Sequence, residues 1–315
     1  MTKKIAFLFP GQGSQAVGMG KDLYDNFESA KNVFDTADKV LSKNISTMCF
    51  EGPEDSLKQT INTQPSIVTM SIAAMEALKS ELDITPSYTA GHSLGEYCAM
   101  YTSGVMSLEN TLKAIQKRAD LMSATKGGSM AAVLNASEEQ LKAGLEEGSK
   151  VGYVDVANYN SPAQVVITGA EDAVKAASDY MVANGVRRVV PLAVSGAFHS
   201  KFMENAGKEF AEFVSNLDLN NASIPVITNV DAEITTNSED FREKMPKQIY
   251  SSVHWTQTIE KMIAEGVDTF IEIGPGKVLA GLNRKISSDI TTYNIFDKAS
   301  LDATVSALKE ELAGV

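Results

Sequence analysis

The chain reads as an α/β protein in which a large domain built on a parallel sheet is interrupted by a smaller inserted subdomain. Three observations carry that reading. Short apolar runs alternate with helical periodicity towards both ends of the 315 residues, the pattern of strands joined by crossover helices. The stretch 128–197 instead follows the order strand, helix, strand, strand, helix, strand. Signals of the first kind resume beyond His199, so the large domain comprises 1–127 and 198–315 and is discontinuous.

Taken in order, the apolar run Lys4 to Phe9 is a strand that enters the loop Pro10-Gly11-Gln12-Gly13. Periodicity predicts helices over about Gly20 to Leu41 and Gln64 to Leu82. A second strand, Tyr88 to Gly91, turns at Gly91-His92-Ser93-Leu94-Gly95 into a helix from near Leu94, and another helix runs from Leu108 to about Ala124. After Lys126-Gly127-Gly128 come a strand at Met130 to Leu134, a helix at Glu138 to Glu147, and strands at Tyr153 to Asn158 and Gln164 to Thr168. A helix at Ala173 to Ala183 and a strand at Arg187 to Pro191 complete a ferredoxin-like unit. Strands at Pro225 to Thr228 and Thr269 to Ile273, with helices between, return to the first pattern.

Composition narrows the function classes. Hydrophobic residues at 43% and charged residues at 22% are ordinary for a soluble globular protein and exclude disorder, collagen and disulfide scaffolds. A formal charge of -12 disfavours nucleic acid, because phosphate backbones attract clustered Lys and Arg. The two cysteines, Cys49 and Cys98, read as buried thiols of a reducing compartment, with neither a disulfide nor a metal expected. Ile5 to Phe9 is shorter than a signal-peptide core, and Ser71, Glu76 and Lys79 break the apolar stretch Ile67 to Leu82. The expectation is a cytoplasmic protein without a membrane segment.

Gly91-His92-Ser93-Leu94-Gly95 fits G-x-S-x-G, the nucleophile elbow, and lies where a strand meets a helix. The turn lifts the serine oxygen out of the fold and leaves the Leu94 N–H free to stabilise an oxyanion. The bland alternative is a structural glycine turn. A serine nucleophile needs a base, and the chain offers three histidines. His92 adjoins Ser93, so the two side chains diverge and packing is its expected role. His199, in Ser195-Gly196-Ala197-Phe198-His199-Ser200, lies where an interdomain cleft is expected and is the leading base. His254 is the other candidate, with a surface or capping role as its alternative.

The large domain is thus α/β-hydrolase-like. In an ordinary α/β-hydrolase the acid falls between serine and histidine and the histidine lies near the C-terminus. Here more than a hundred residues follow His199, and that order, together with the insertion, disfavours an esterase or lipase. A backbone carbonyl can orient His199 in place of a carboxylate. Arg118, mid-helix in Ile115-Gln116-Lys117-Arg118-Ala119-Asp120-Leu121-Met122, is either a surface arginine or a cleft guanidinium able to take a carboxylate bidentately. Gly274-Pro275-Gly276 follows a strand but matches no phosphate-loop pattern and reads as a turn.

Pro10-Gly11-Gln12-Gly13-Ser14-Gln15, Gly91-His92-Ser93-Leu94-Gly95-Glu96-Tyr97, Arg118, Gly196-Ala197-Phe198-His199 and Glu272-Ile273-Gly274-Pro275-Gly276 together resemble the malonyl-CoA:acyl carrier protein transacylases of bacterial type II fatty acid synthesis, in order and over almost the whole chain. The resemblance implies Ser93 as nucleophile and His199 as base, with the Gln12 and Leu94 N–H groups as oxyanion hole. It also implies that the Gln248 carbonyl holds His199 Nδ1, that Arg118 grips the malonyl carboxylate, and that Met122 and Phe198 contact substrate. The implied donor is malonyl-CoA as substrate, without a cofactor. The implied acceptor is acyl carrier protein, served by a monomer. Arg187, Arg188, Lys201, Lys277, Arg284 and Lys285 are candidate contacts for a CoA phosphate or an acidic carrier. The rival readings are a thioesterase or esterase on the same nucleophile and a scaffold that has lost its chemistry.

Overall fold

The computed structural model describes residues 3–313. Its strands are β1 (Ile5–Phe9), β2 (Tyr88–Gly91), β3 (Ser129–Leu134), β4 (Val154–Ser161), β5 (Gln164–Gly169), β6 (Arg188–Pro191), β7 (Val226–Ile227), β8 (Ile234–Thr235), β9 (Thr269–Ile273) and β10 (Thr291–Ile295). They form a six-stranded sheet in the order β10-β9-β1-β2-β7-β8 and a four-stranded sheet in the order β4-β5-β3-β6. The larger sheet is parallel except for the β7–β8 hairpin, and the smaller one is antiparallel.

The pleat of β1 explains why the large sheet is buried on both faces. Alternate residues point to opposite sides. Ile5, Phe7 and Phe9 join the apolar cluster of the helix Thr60–Glu81. Ala6 and Leu8 join Trp255, Ile259 and Leu279 on the other face. A strand between two layers of helices must read as a continuous apolar run, as this one does.

Several expected boundaries move. The predicted helix Gly20 to Leu41 is two helices, Lys21–Asn26 and Glu28–Leu41, because Phe27 is extended at φ -129 and ψ 117 and buries its ring in the core. The helix expected from Gln64 begins at Thr60. Pro65 lies inside it and gives no N–H to the Ile61 carbonyl, which takes the Gln116 side chain at 3.5 Å instead. The strand expected at Pro225 to Thr228 pairs only over Val226–Ile227. There the Thr228 hydroxyl is drawn into the hairpin turn by Asp231 at 2.8 Å. Short helices at Ile45–Glu51 and Glu54–Leu57, the strands β8 and β10 and the helix Lys298–Ala313 were not anticipated.

Hydrogen bonds tie the smaller sheet to two segments outside it, one before the helix Trp255–Ala264 and one leading to His199. Val253 N–H donates to Ala157 at 2.8 Å and accepts, through its carbonyl, the Tyr159 N–H at 2.9 Å. The Thr168 hydroxyl donates to the Phe198 carbonyl at 2.9 Å. This seam sets the wall of a cleft above the C-terminal ends of β1 and β2, where parallel sheets bind ligands.

Candidate active site

The elbow is shaped by close approach. A Cβ on Gly91 would lie 1.9 Å from the Gly95 carbonyl carbon, and one on Gly95 would lie 2.2 Å from the Phe9 oxygen. Only glycine at both places lets the turn pack on β1. Ser93 between them has φ 51, in the left-handed region that a non-glycine residue enters only under constraint. The helix Gly95–Thr102 starts at once, with Leu94 at its cap. Neither the Leu94 nor the Gln12 N–H has a protein acceptor among the described residues.

His199, also left-handed at φ 53, places Nε2 2.8 Å from Ser93 Oγ. Its Nδ1 lies 2.9 Å from the Gln248 carbonyl and 3.1 Å from that of Ser251. Carbonyls only accept, so Nδ1 carries the ring hydrogen and Nε2 presents its lone pair to the serine hydroxyl. Burial, and next the charge of Arg118, push the imidazole pKa down to about 3. The ring is therefore neutral at physiological pH.

Arg118 is not a surface residue: it is 1% exposed, on the helix Leu108–Ala124. Its Nη1 donates to Gln64 Oε1 at 2.7 Å, and its Nη2 to Ser93 Oγ and Gln248 Oε1, each at 3.0 Å. Its Nε is buried without a partner among the described residues. Gln12, Ser93, Arg118, Met122, Phe198 and His199 line one cleft. A hydroxyl is thus flanked by a neutral base and a fixed cation.

The chain matches the acyl transferase domain family over residues 6–309. It belongs to that family. It is 44% identical over 312 residues to the malonyl CoA-acyl carrier protein transacylase of Bacillus subtilis (strain 168), covering 98% of each chain. The crystal structure of the malonyl CoA-acyl carrier protein transacylase from Clostridium perfringens superposes with a TM-score of 0.94 at 38% identity, covering 98% of each chain. A malonyl-transacylase solved in complex with a type II polyketide acyl-carrier protein superposes with a TM-score of 0.93 at 34% identity, covering 97% of this chain and all of that one (100%). Within the acyl transferase family the chain therefore lies in the malonyl CoA-acyl carrier protein transacylase branch.

In this acyl transferase the other histidines stand aside from Ser93 Oγ. His92 bonds Asn160 at 2.7 Å and packs on Trp255 at 5.6 Å, beneath the turn. His254 stacks on Tyr159 at 5.3 Å and caps no helix with its side chain. The six basic candidates from Arg187 to Lys285 are exposed, and among the described residues none lines the cleft. Gly274-Pro275-Gly276 leads into the helix Val278–Ile286, whose N-terminus is already occupied. Glu272 accepts from the Leu279 and Ala280 N–H groups at 2.9 and 2.8 Å, leaving no room for a phosphate. Cys49 and Cys98 are free and buried, and burial raises both thiols, Cys49 to about 12. Among the described residues no metal-binding cluster and no helix long and apolar enough to cross a membrane is found.

Sequence reasoning missed the carboxamides. Gln64 and Gln248 hold Arg118 by their side chains, and Asn229 and Glu96 lie directly behind the elbow. Glu96 was visible only as part of a motif, and Asn229 sits in the unremarkable Thr228-Asn229-Val230. Neither carries a local signal, because each acts on a residue far away in the chain.

Proposed function

We propose that the protein moves a malonyl group from CoA to the phosphopantetheine thiol of acyl carrier protein, in fatty acid biosynthesis, through an ester on Ser93. The observation that carries this is one hydroxyl lying 2.8 Å from the His199 nitrogen and 3.0 Å from the Arg118 guanidinium. The Ser93 proton passes to His199 Nε2 as Oγ attacks the thioester carbon. The Gln12 and Leu94 N–H groups receive the oxyanion. The tetrahedral adduct collapses, the C–S bond breaks, and CoA leaves as a thiol with the proton from His199. The carrier thiol then enters, gives its proton to His199 and attacks the ester, and Ser93 Oγ recovers the proton as it departs. The Gln248 carbonyl holds the imidazole throughout. Arg118 pairs with the malonyl carboxylate, and Met122 and Phe198 form the acyl wall.

The proposal includes a cytoplasmic location, a monomer, a CoA thioester as donor with no metal or redox cofactor, and neither nucleic acid nor membrane as partner. It also treats 128–197 as a subdomain inserted between 1–127 and 198–315. In support, each sheet draws its strands from one side of that division.

Intact-protein mass spectrometry after exposure to malonyl-CoA tests it. One added malonyl group, lost on addition of carrier thiol, is expected. Ser93→Ala should take up none, His199→Ala should acylate very slowly, and His254→Ala should match the unaltered protein. Rapid acylation of His199→Ala would overturn the base assignment, and hydrolysis outrunning transfer would favour a thioesterase.

A further inference from the structure

The turn at Ser93 is clamped from behind by a single residue. Asn229 Oδ1 accepts the Ser93 N–H at 2.8 Å, and its Nδ2 donates to the Gly91 carbonyl at 2.8 Å. The orientation of this carboxamide follows from its partners, since a backbone N–H only donates and a carbonyl only accepts. The two peptide groups it grips are those on either side of His92. Asn229 is itself fixed at both backbone groups: its N–H donates to Glu96 Oε2 at 2.6 Å, and its carbonyl accepts the His254 N–H at 3.0 Å. Asn229 is fully buried and Glu96 is 1% exposed. Glu96 lies on the helix that starts at the elbow, so the connection closes on itself. Gln248 adds a second carboxamide, with Nε2 donating to the Ser93 carbonyl at 2.8 Å.

We infer that Asn229, anchored by Glu96, is a positioning residue for acyl transfer, which holds Ser93 Oγ against His199 Nε2 by clamping the peptides that flank His92. All four of its hydrogen-bonding groups serve the elbow or its anchors. Asn229 touches no reacting atom, and its effect runs through Ser93. The inference rests on Ser93 as the nucleophile of the proposed reaction, but not on malonyl as the group transferred.

The test follows Ser93 labelling by intact mass over time, once with malonyl-CoA and once with a fluorophosphonate, which reacts with an activated serine and needs no carboxylate clamp. Asn229→Ala is expected to slow both labellings about 10–100-fold, the scale of a displaced reacting group. The half-saturating malonyl-CoA concentration should change little. Asn229→Asp keeps the acceptor for Ser93 but not the donor to Gly91, and should fall between. Glu96→Ala should slow labelling as Asn229→Ala does, and Glu96→Gln, which still accepts from the Asn229 N–H, should recover most of that loss. Leu308→Ala, in the core face of the helix Lys298–Ala313, supplies a variant with reduced stability and no link to the elbow. Slowing no greater than in Leu308→Ala, or equal rates for Glu96→Ala and Glu96→Gln, would overturn the inference. If the unaltered protein takes fluorophosphonate but no malonyl, slowing in Asn229→Ala still supports the clamp while the proposed acyl group fails.

Discussion

His199 meets Ser93 as a neutral ring because two causes act in the same direction: burial withholds water from the imidazolium, and the Arg118 cation opposes a second positive charge. Its pKa falls from the ordinary 6.5 to about 3. Acylation is therefore expected to stay flat between about pH 6 and 8, where a free imidazole titrates, and to decline only in more acid solution. Removing the cation in Arg118→Gln should move the inflection up towards 6.5, measured with an uncharged acyl thioester. An inflection that stays in place would mean burial alone sets it. The same shift has a consequence for stability. The unfolded chain binds this proton between about 3 and 6.5 and the folded chain does not, so the His199 contribution is lost as pH falls through that window.

Arg118 has a separate prediction. A carboxylate entering the cleft needs a fixed cation to offset desolvation, and a guanidinium supplies two parallel hydrogen bonds. Arg118→Ala should cost the malonyl reaction about 2–5 kcal/mol, the scale of breaking one side of a buried pair, while acetyl-CoA loses little. Equal losses in the two acylation rates would assign Arg118 to the fold.

Among the elements, the helix Val278–Ile286 shows how a buried acid substitutes for a cap. Its preceding residue, Lys277, makes no side-chain cap bond, and Glu272 from β9 supplies both oxygens to the first turn instead. Asn294 on β10 donates to the same carboxylate at 2.7 Å, so strand and helix ends are tied together. Burial raises this carboxyl from 4.5 to about 7, against the pull of those N–H groups. Glu272→Ala should lower stability by about 1–3 kcal/mol, because buried donors lose their acceptor. Folding raises the Glu272 pKa, so the folded state binds the extra proton between 4.5 and about 7 and stability falls as pH rises through that range. The advantage of Glu272 over Glu272→Gln in thermal unfolding should accordingly shrink from acid to neutral pH. A gap that widens instead would contradict the assignment.

At the scale of the whole molecule, the bonds of Val253 to Ala157 and Tyr159 tie β4 of the smaller sheet to the segment before the helix Trp255–Ala264, which packs on the larger sheet. His199, the proposed base, lies just beyond the smaller sheet, and Ser93, the proposed nucleophile, follows β2 of the larger one, so any sliding at this seam would separate Ser93 Oγ from His199 Nε2. The prediction is a single cooperative unfolding transition, with the Tyr159 and Val253 amides exchanging hydrogen only as slowly as the global opening permits. Two resolved transitions, or early exchange at these amides, would show that the smaller sheet opens independently.

What was legible in the sequence was local. The strand-turn-helix around Ser93 is written in the local spacing of Gly91, Ser93 and Gly95, although the Gly95 contact that demands glycine is with distant Phe9, and the apolar run of β1 follows from its burial on both faces. The ferredoxin-like order of elements in 128–197 was likewise legible, because periodicity is a property of neighbouring residues. Boundaries failed where a distant contact outweighed propensity, as at Phe27 and at Pro65 with Gln116. The site itself was decided by the tertiary structure: the burial of Arg118, the carbonyls that set the His199 tautomer, the Glu272 carboxylate that fills a helix end, and Asn229 behind the elbow. Apart from Glu272, which fills the end of the helix that follows its own strand, each of these joins groups from segments far apart in the chain. Their worth arises from exclusion of water, which makes an unpaired polar group costly and a paired one well positioned, and no short stretch of sequence records which distant partner will share its interior.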